Sequence, residues 1–424
     1  MSTDVEVVIV GAGAAGVGAA RRLVAAGLSP LVLEATSRVG GRGWTEHVVG
    51  LPLDLGCGWL HSADRNAWTR IAEGGGRPID RRRPAWRVQY RGLGFPPAEQ
   101  TGAQRAFADW VERLASDPPA SDRAADALEP NGEWNAYIEA INGLITGARL
   151  DRLSVADYMA YDAASTDQNW RLPGGYGALI AASLPPSVDL RLATPVEAVA
   201  LDGRGVTLTT PEGRVHAAAA ILTVSTVVLA GGRIGLPSAA DPWRDAAGLL
   251  PLGRDEKLFL RISDVGAFEP ETRLIGDPRN PRTGVYYIRP LERPVIECFF
   301  GGEGASLIED GGAAAGFAFA IDQLAHLLGS AVRRTLHPLI ASGWSRMTHV
   351  GGAYSYALPG HAAARAALAR PLDRRLFFAG EATHPNDFST AHGAHDSGVR
   401  AAEQVIAALA ARPDLPEAAE PALR

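Results

Sequence analysis

The chain has 424 residues, a mean hydropathy of −0.01 and a formal net charge of −6, so it is long enough for two or three domains and lacks the basic excess of a nucleic-acid-binding surface. Its two cysteines, Cys57 and Cys298, form no closely spaced pair, which argues against a disulfide framework or zinc cluster and favours the reducing cytoplasm. We see no signal peptide and no run of roughly 20 apolar residues, so we expect a cytoplasmic protein with no membrane, nucleic-acid or metal partner.

The first predicted elements form one βαβ unit. Residues 5–10 are mostly β-branched, which predicts a buried strand. The turn GAGAAG follows at 11–16, and the apolar pattern over 14–26 predicts a helix. A second strand is predicted over 30–34 and ends in Glu34. A right-handed crossover between the two strands makes them parallel.

The glycine turn of this unit predicts a dinucleotide site. Gly11 permits the turn out of the strand, Gly13 lets the backbone approach a pyrophosphate, and Gly16 lets the helix pack closely on the strand. The helix N-terminus around Ala15 offers free N–H groups and partial positive charge to phosphates. Glu34 stands where an acid accepts hydrogen bonds from ribose hydroxyls. Up to this point NAD and FAD fit equally well.

Residues 38–45 separate these two cofactors. The run RVGGR directly follows the ribose acid and brings Arg42 back toward the pyrophosphate, although a basic surface loop is the alternative interpretation. No second GxGxxG unit follows a strand later in the chain, so we expect no separate pyridine-nucleotide domain. The prediction is therefore FAD.

The rest of the chain changes pattern several times. Residues 76–171 lose the strand pattern, and amphipathic stretches at 103–115 and 133–148 predict a helical insertion. The later elements predicted in chain order are strands within 188–230, strands within 256–300, a helix over 313–328, a buried strand over 375–380, a helix over 393–411 and a disordered Pro-, Ala- and Glu-rich tail after Arg412.

These motifs resemble the flavin-containing amine oxidase family, which includes monoamine oxidases, polyamine oxidases and histone-demethylase-type oxidases. The resemblance runs over nearly the whole chain. The motifs that carry it are GAGAAG (11–16), RVGGR (38–42), DLGCGWLHS (54–62), LPGGYGALI (172–180), TPVEAVAL (194–201), EKLFL (256–260), GWSRMTHVGGAYS (343–355), FAGEAT (378–383) and TAHGAHDSGVRAAEQV (390–405).

The resemblance implies an α/β fold with a Rossmann-like FAD-binding domain of the glutathione-reductase type and an inserted α+β substrate domain. We expect the FAD-binding domain to comprise residues 1–75, 172–245 and 371–424. The substrate domain would comprise residues 76–171, which hold the helical insertion, and 246–370. The active site would lie between them, against the flavin.

Further cofactor contacts follow from the resemblance. Glu381, at the turn after a buried strand, would bind the ribitol, and the backbone of Val196 would meet the adenine. The helix after GAHDSG would point its N-terminus at the flavin ring, where partial positive charge favours the reduced anionic flavin. The full predicted cofactor-binding set is Gly11, Gly13, Ala15, Gly16, Glu34, Arg42, Gly58, Trp59, Val196, Gly380, Glu381 and Ala391.

Lys257 is the first candidate catalytic residue. It lies in EKLFL, a strand that is otherwise apolar at alternate positions. In the family, a lysine at this motif holds a water against flavin N5, and the resemblance implies that role for Lys257. We expect burial to lower its pKa. An exposed charge at a strand end is the alternative.

Four more residues complete the predicted catalytic set. His61 matches a position where polyamine-oxidase-like members often have histidine, either contacting the substrate amine or only supporting its neighbours. Tyr354 matches one wall of the aromatic cage of monoamine oxidases, but Thr390 replaces the other, which is more like the polyamine-oxidase and histone-demethylase branch. Trp344 matches a tryptophan near the flavin, with core packing as its alternative role.

One departure from the family concerns the attachment of the cofactor. Monoamine oxidases attach the flavin covalently through a cysteine just before the cage tyrosine, and here that position is Ala353. Neither cysteine of the chain substitutes for it by motif. We therefore predict non-covalent FAD.

The resemblance implies oxidation of a C–H bond alpha to an amine nitrogen. A neutral amine would pass a hydride equivalent to flavin N5, the imine would hydrolyse, and O₂ would be reduced to H₂O₂. A flavin desaturase or oxidase of a non-amine substrate, of the carotenoid or protoporphyrinogen type, stays open as an alternative, as does an amine dehydrogenase with another electron acceptor. A more distant alternative is a flavin-binding protein that acts through protein partners. The motifs specify neither the amine nor the oligomeric state. Trp86, Trp134 and Trp170 in the insertion are either pocket walls or core.

Overall fold

The computed structural model describes residues 2–203 and 205–411, so the predicted disordered tail after Arg412 lies outside the described residues. The strands of this part, numbered in chain order, are β1 (Ser2–Val10), β2 (Leu31–Leu33), β3 (Thr45–Val48), β4 (Leu51–Asp54), β5 (Trp59–Leu60), β6 (Trp170–Arg171), β7 (Asp189–Arg191), β8 (Ala198–Asp202), β9 (Gly205–Thr210), β10 (Gly213–Leu222), β11 (Asp255–Ile262), β12 (Thr272–Ile275), β13 (Val285–Ile288), β14 (Val295–Gly301), β15 (Leu336–Ala341) and β16 (Leu376–Phe378). The α-helices are α1 (Ala14–Ala25), α2 (Ala67–Gly74), α3 (Pro97–Ser116), α4 (Asn135–Thr146), α5 (Val155–Ala164), α6 (Tyr176–Ala182), α7 (Thr226–Ala230), α8 (Asp241–Gly248), α9 (Glu303–Leu328), α10 (Ala364–Leu368) and α11 (Ala391–Ala410).

The larger sheet is built on the first βαβ unit. β1 pairs in parallel with β2 on one side and with β10 on the other, and β7 extends the sheet beyond β2. β10 also pairs in parallel with β16 near its end and antiparallel with β9, which in turn pairs with β8. Val7, Val8 and Ile9 are fully buried, as expected for a strand covered on both faces. The predicted parallel βαβ unit is therefore confirmed.

Helices α1 and α11 pack closely against each other beside this sheet. A Cβ atom added to Gly398 would lie 2.0 Å from the carbonyl oxygen of Ala15, so only glycine allows the approach. The two helices share a buried cluster with β1 and β16, which includes Leu23, Phe377 and Val405. Because both helices begin beside the C-terminal ends of these strands, their N-termini lie at the same edge of the sheet.

The second sheet is antiparallel, with the order β12-β13-β14-β11-β15. One face packs on α9 through a core of Leu258, Leu260, Ile296, Cys298 and Phe300 together with residues of the helix. Because side chains alternate along a strand, the intervening residues of β11 and β14 point to the opposite face. That second face lines the cavity described below.

Two helix boundaries differ from the sequence prediction. The helix predicted over 313–328 begins at Glu303 and has a break at Gly312, whose φ of +83° interrupts the apolar periodicity. The helix predicted over 393–411 begins at Ala391, so the GAHDSG segment lies inside its first turns rather than before it. The Thr390 side chain caps this helix, which fixes the earlier start.

The helical character of the insertion is confirmed, because α3 covers the predicted stretch 103–115 and α4 covers all but two residues at each end of the stretch 133–148. The proposed boundaries between the two domains remain a prediction. Within residues 2–203 and 205–411, we find no helix that combines the length and apolar character needed to cross a membrane.

Candidate active site

One cavity of about 1510 Å³ connects the glycine turn of the larger sheet with the second sheet. It is lined by every residue of the predicted catalytic and cofactor-binding sets except Gly16. A Cβ atom on Gly16 would lie 1.9 Å from the carbonyl oxygen of Gly11, so Gly16 serves the packing of α1 on β1. Gly11 itself has a φ of +105°, which L side chains rarely adopt. The structure thus brings distant motifs to one site.

Glu34 is fixed at the cavity wall by the turn around it. Its Oε2 accepts a hydrogen bond from the backbone N–H of Ala12 at 2.8 Å. Its Oε1 accepts from the backbone N–H of Thr36 at 2.8 Å and from the Thr36 hydroxyl at 2.7 Å. Although buried, this carboxylate is therefore held in one orientation beside the glycine turn.

Arg38 was not assigned a role from the sequence, but the structure gives it one feature of an anion site. Its guanidinium lies 4.4 Å from the centre of the Trp44 ring and donates a hydrogen bond to Gly41 O at 2.7 Å. Its buried Nη1 has no hydrogen-bond acceptor among the described residues. Arg38 lines the cavity, so its positive charge lies beside the space that an anionic pyrophosphate would occupy. The available sequence signal for Arg38 was its place as the first residue of RVGGR.

Arg42 and Glu381 form an ion pair across the cavity wall, with Nη1 and Oε1 2.9 Å apart. Glu381 also accepts hydrogen bonds from the Ser355 hydroxyl at 2.6 Å and from the backbone N–H of Ser389 at 2.8 Å. Burial raises the pKa of Glu381, but the charges of Arg42 and Arg365 outweigh burial and hold the pKa below its ordinary value. Glu381 is therefore ionised at neutral pH.

Lys257 lies on the face of the second sheet that lines the cavity and is only 8% exposed, so the alternative of an exposed strand-end charge is wrong. Its Nζ is 3.0 Å from Glu297 Oε1 and donates to Asp54 O at 3.3 Å. Burial lowers the pKa of Lys257, but the negative charges of Glu297 and Asp54 raise it by more. The net result is a pKa above the ordinary value of a lysine. The expected lowering is wrong because the sequence analysis did not anticipate these carboxylates.

Glu297 is a site residue that the sequence analysis missed. It lies on β14, pairs in register with Phe259 and lines the same cavity. An acid inside the apolar run VIECFF was the available signal, because a buried carboxylate needs a partner. In this structure that partner is Lys257.

His61 lines the cavity beside the insertion. Its Nδ1 is hydrogen-bonded to Asn169 Oδ1 at 2.7 Å, and its ring lies 5.9 Å from that of Trp86. Burial lowers the pKa of His61 to about 4, and the hydrogen bond to Asn169, which raises the pKa, opposes this shift only in part. The imidazole is therefore neutral at pH 7.

The three tryptophans of the insertion have different positions. Trp86 lines the cavity and makes an edge contact with Trp59 at 4.9 Å between ring centres. Trp134 packs against Phe95 in a buried cluster. Trp170, on β6, is half-buried beneath the guanidinium of Arg81. Only Trp86 among the three is a cavity wall.

Tyr354, Thr390 and Trp344 all line the cavity, with different side-chain contacts. The Tyr354 hydroxyl donates to Leu144 O at 3.1 Å. Thr390 Oγ1 accepts from the backbone N–H of Gly393 at 3.0 Å, so it caps α11 as well as facing the cavity. Trp344 is 4% exposed and donates to Leu55 O at 3.3 Å, which accounts for its packing role. Their catalytic roles remain predictions.

His392 is a second residue that the sequence analysis missed. It is buried on the first turn of α11, lines the cavity, and its Nε2 lies 3.2 Å from Asp387 Oδ1. Arg65 also binds Asp387, at 2.7 Å, and this partner helps to keep the pKa of that carboxyl well below its ordinary value despite burial. The available signal was the first histidine of TAHGAHDSG, at the start of the predicted closing helix.

Cys57 lines the cavity, and burial raises the pKa of its thiol to about 12, whereas Cys298 lies in the core of the second sheet. Both cysteines are free. Among the residues that the structure describes, no group of His, Cys, Asp and Glu is arranged to hold a metal ion.

The glycine turn, the acid after β2 and the cavity define an enzyme that binds a dinucleotide cofactor. The profile of the family described as "Flavin containing amine oxidoreductase" matches residues 14–78 and 87–406. The chain belongs to this family, and the predicted FAD-dependent amine oxidoreductase is confirmed.

Individual relatives agree with this assignment. The chain is 28% identical over 432 residues to "Polyamine oxidase 2" of Arabidopsis thaliana. The aligned region covers 94% of this chain and 87% of that protein. The name of this relative agrees with the polyamine-oxidase-like branch that the sequence motifs predict. A "Pseudooxynicotine dehydrogenase" of Pseudomonas sp is 24% identical over 306 residues, covering 62% of this chain and 60% of that protein.

A solved structure confirms the fold. The structure of a putrescine oxidase with putrescine bound superposes with a TM-score of 0.75 at 21% identity, covering 96% of this chain and 100% of that one. The predicted fold class, a Rossmann-like FAD-binding unit with an inserted α+β part, is therefore confirmed.

Proposed function

We propose that this chain oxidises the carbon next to the nitrogen of a diamine or polyamine, with non-covalent FAD and with O₂ as electron acceptor. The observation that carries the proposal is Lys257, a buried cation on the cavity face of the second sheet, in the same cavity as the glycine turn. The names of the polyamine oxidase relatives support the choice of substrate. The non-amine desaturase alternative has no support among these relatives.

In this proposal the residues of the larger sheet hold the cofactor. Glu34 binds the adenosine ribose, and Arg38 together with the N-terminus of α1 binds the pyrophosphate. Glu381 binds the ribitol, and the backbone at Val196 contacts the adenine. Gly13, Gly58, Gly380 and the other predicted positions except Gly16 complete the wall. We retain the predicted domain boundaries as part of the proposal.

The bound flavin supplies the two-electron acceptor for the C–H bond next to the substrate nitrogen. The protein supplies position and protonation. His61 is neutral at pH 7 and accepts a proton or hydrogen bond from the substrate amine, which must be uncharged to react. Lys257 holds a water in the cavity, oriented by Glu297 and Asp54 O. Tyr354, Thr390 and Trp344 limit where the substrate lies.

Anaerobic mixing with amines tests the proposed reaction. We expect 1,4-diaminobutane or a longer polyamine to bleach the yellow flavin absorbance, and admission of O₂ to restore it with release of H₂O₂. If bleaching occurs but O₂ restores the colour only when a dye acceptor is added, the chain is an amine dehydrogenase. If no diamine, polyamine, monoamine or N-methyl amine bleaches the flavin, the proposed function is wrong.

Acid precipitation tests the mode of cofactor attachment. Ala353 stands at the position of the tethering cysteine, and the buried thiol of Cys57 has a pKa of about 12, so it forms little thiolate at neutral pH. We therefore expect FAD to pass into the supernatant when the holoenzyme is precipitated with acid. A yellow pellet after washing would contradict this prediction, and a Cys57→Ser variant would then identify the attachment.

The remaining proposal concerns the compartment. Both cysteines are free, with Cys298 buried in an apolar core, and the chain needs no disulfide in the part described. This agrees with the reducing cytoplasm, which we propose as the location.

A further inference from the structure

Arg273 is a buried cation on the cavity face of the second sheet, and it forms no ion pair with an acidic side chain of residues 2–203 and 205–411. It lies on β12, is 9% exposed and lines the cavity. Its Nη1 donates a hydrogen bond to Trp86 O, whereas its Nε is buried without an acceptor. Buried charges in proteins are normally paired, so this exception points to a partner from outside the chain.

The acidic side chains that flank Arg273 pair with other cations. Glu271, two residues before it in the chain, lies 2.7 Å from Arg171. Glu297 is two strands away in the same row of the sheet and lies 3.0 Å from Lys257. The positive charge of Arg273 is therefore not compensated at this end of the cavity.

The Tyr287 hydroxyl adds a polar group beside this charge. Tyr287 pairs in register with Arg273 and lines the cavity. Burial raises the pKa of Tyr287, and the charge of Arg273 opposes this rise, so the hydroxyl and the guanidinium lie close together. The hydroxyl is uncharged and does not neutralise the cation. A guanidinium has five N–H groups, and Trp86 O and this hydroxyl use at most a part of them.

The cofactor does not account for this cation. In the proposed arrangement the pyrophosphate lies at the glycine turn and Arg38, beside the larger sheet, whereas Arg273 belongs to the second sheet and contacts the insertion through Trp86. A planar guanidinium presents parallel N–H groups that match the two oxygens of a carboxylate. A ligand that fits the unpaired charge is therefore a substrate carboxylate.

Arg273 and Lys257 lie at two ends of the cavity face of the second sheet. The order β12-β13-β14-β11 places their backbones about 14 Å apart across the sheet, which is three strand spacings. Val285 pairs with Phe299, and Phe299 pairs with Lys257, so these two apolar side chains lie between the ends, and both line the cavity. This wall suits a hydrocarbon chain with an amine at one end and a carboxylate at the other.

We propose that Arg273 and the Tyr287 hydroxyl bind the carboxylate of an ω-amino acid whose amine is oxidised beside Lys257. This inference rests on the amine oxidation of the proposed function and adds a second class of substrate to the diamines and polyamines. The C–H bond next to the nitrogen breaks with transfer of a hydride equivalent to the flavin, and the nitrogen loses one proton. Water then converts the imine to an aldehyde acid and ammonia, and O₂ takes up the two electrons as H₂O₂.

The test compares 4-aminobutanoate, 6-aminohexanoate and 8-aminooctanoate, each with the alkylamine of the same carbon number, on the holoenzyme. The quantity measured is the ratio of the two kcat/KM values, which does not depend on the fraction of active enzyme. In the wild type we expect this ratio to exceed one for at least one chain length. In Arg273→Gln, which removes the charge, we expect that ratio to fall about 10- to 100-fold, the effect of losing a charged hydrogen bond.

Two further variants and one inhibitor keep the test decisive. Arg261→Gln removes an exposed positive charge from β11, and we expect its ratio to match the wild type. Arg273→Lys keeps the charge but loses the planar fork, and we expect its ratio to lie between those of Arg273→Gln and the wild type. If Arg273→Gln folds poorly, the wild type alone suffices: hexanoate should inhibit the oxidation of 1-aminohexane about 10-fold more strongly than the uncharged 1-hexanol.

Four outcomes would overturn the inference. They are a wild type that oxidises amines but prefers no amino acid to its alkylamine, an unchanged ratio in Arg273→Gln, an equal fall of the ratio in Arg261→Gln, and hexanoate that inhibits no better than 1-hexanol. Each of these leaves amine oxidation itself intact. A wild-type enzyme whose flavin is bleached by no amine of any class would overturn the proposed function, and the role of Arg273 with it. The two failures are therefore distinguishable.

Discussion

Lys257→Met is expected to lower the rate of anaerobic flavin reduction by amines about 10²- to 10⁴-fold, the range of positioned proton-transfer groups and the waters they hold. FAD should be retained, because the predicted cofactor-binding residues lie on other segments of the cavity wall. The substitution keeps the length of the side chain and removes its charge. Glu297 then loses its ion-pair partner, so some loss of stability is expected as well.

The control is Arg261→Met, which removes an exposed positive charge from the same strand. Its reduction rate should equal that of the wild type. Stopped-flow absorbance gives the rate, and the ratio of flavin to protein absorbance gives the FAD content. Near-wild-type reduction in Lys257→Met with full FAD content would show that Lys257 is structural, and the proposed site would be wrong.

Lys257 also shows how a simple feature of the sequence can be overlooked. The chain contains 41 lysine and arginine residues, and Lys257 is its single lysine. A sequence that otherwise uses arginine for every positive side chain has a particular requirement at this position, because a compact ammonium fits where a guanidinium does not. The family motif led to the same residue, but the composition alone already singles it out.

The elements that could be predicted from the sequence are those whose patterns are local. The first βαβ unit follows from β-branched runs and a glycine turn, and every predicted site residue except Gly16 reaches the cavity. The pKa of Lys257 could not be predicted, because Glu297 is 40 residues away in sequence and meets it only across the sheet.

The buried pair of Arg365 and Asp157 is expected to show the largest effect on stability. Arg365 donates to both carboxylate oxygens of Asp157, at 2.6 and 2.8 Å, and to the Ser355 hydroxyl at 2.9 Å. Their side chains are only 3% and 2% exposed. The pair joins α5 of the insertion to the segment that contacts Glu381. It therefore connects the substrate side of the cavity with the proposed ribitol residue.

Arg365→Leu should lower the free energy of unfolding by about 3–5 kcal/mol, because it leaves the Asp157 carboxylate buried without its cation. Chemical denaturation of the holoenzyme measures this change. The double variant Asp157→Leu/Arg365→Leu should lose less than Arg365→Leu alone, since no buried charge is left unpaired. As a surface control, Arg105→Leu removes one side of a highly exposed pair with Asp109 and should change stability by no more than about 1 kcal/mol. A double variant no more stable than Arg365→Leu would show that the hydrogen bonds to Ser355 and Ala382, rather than the unpaired charge, account for the loss.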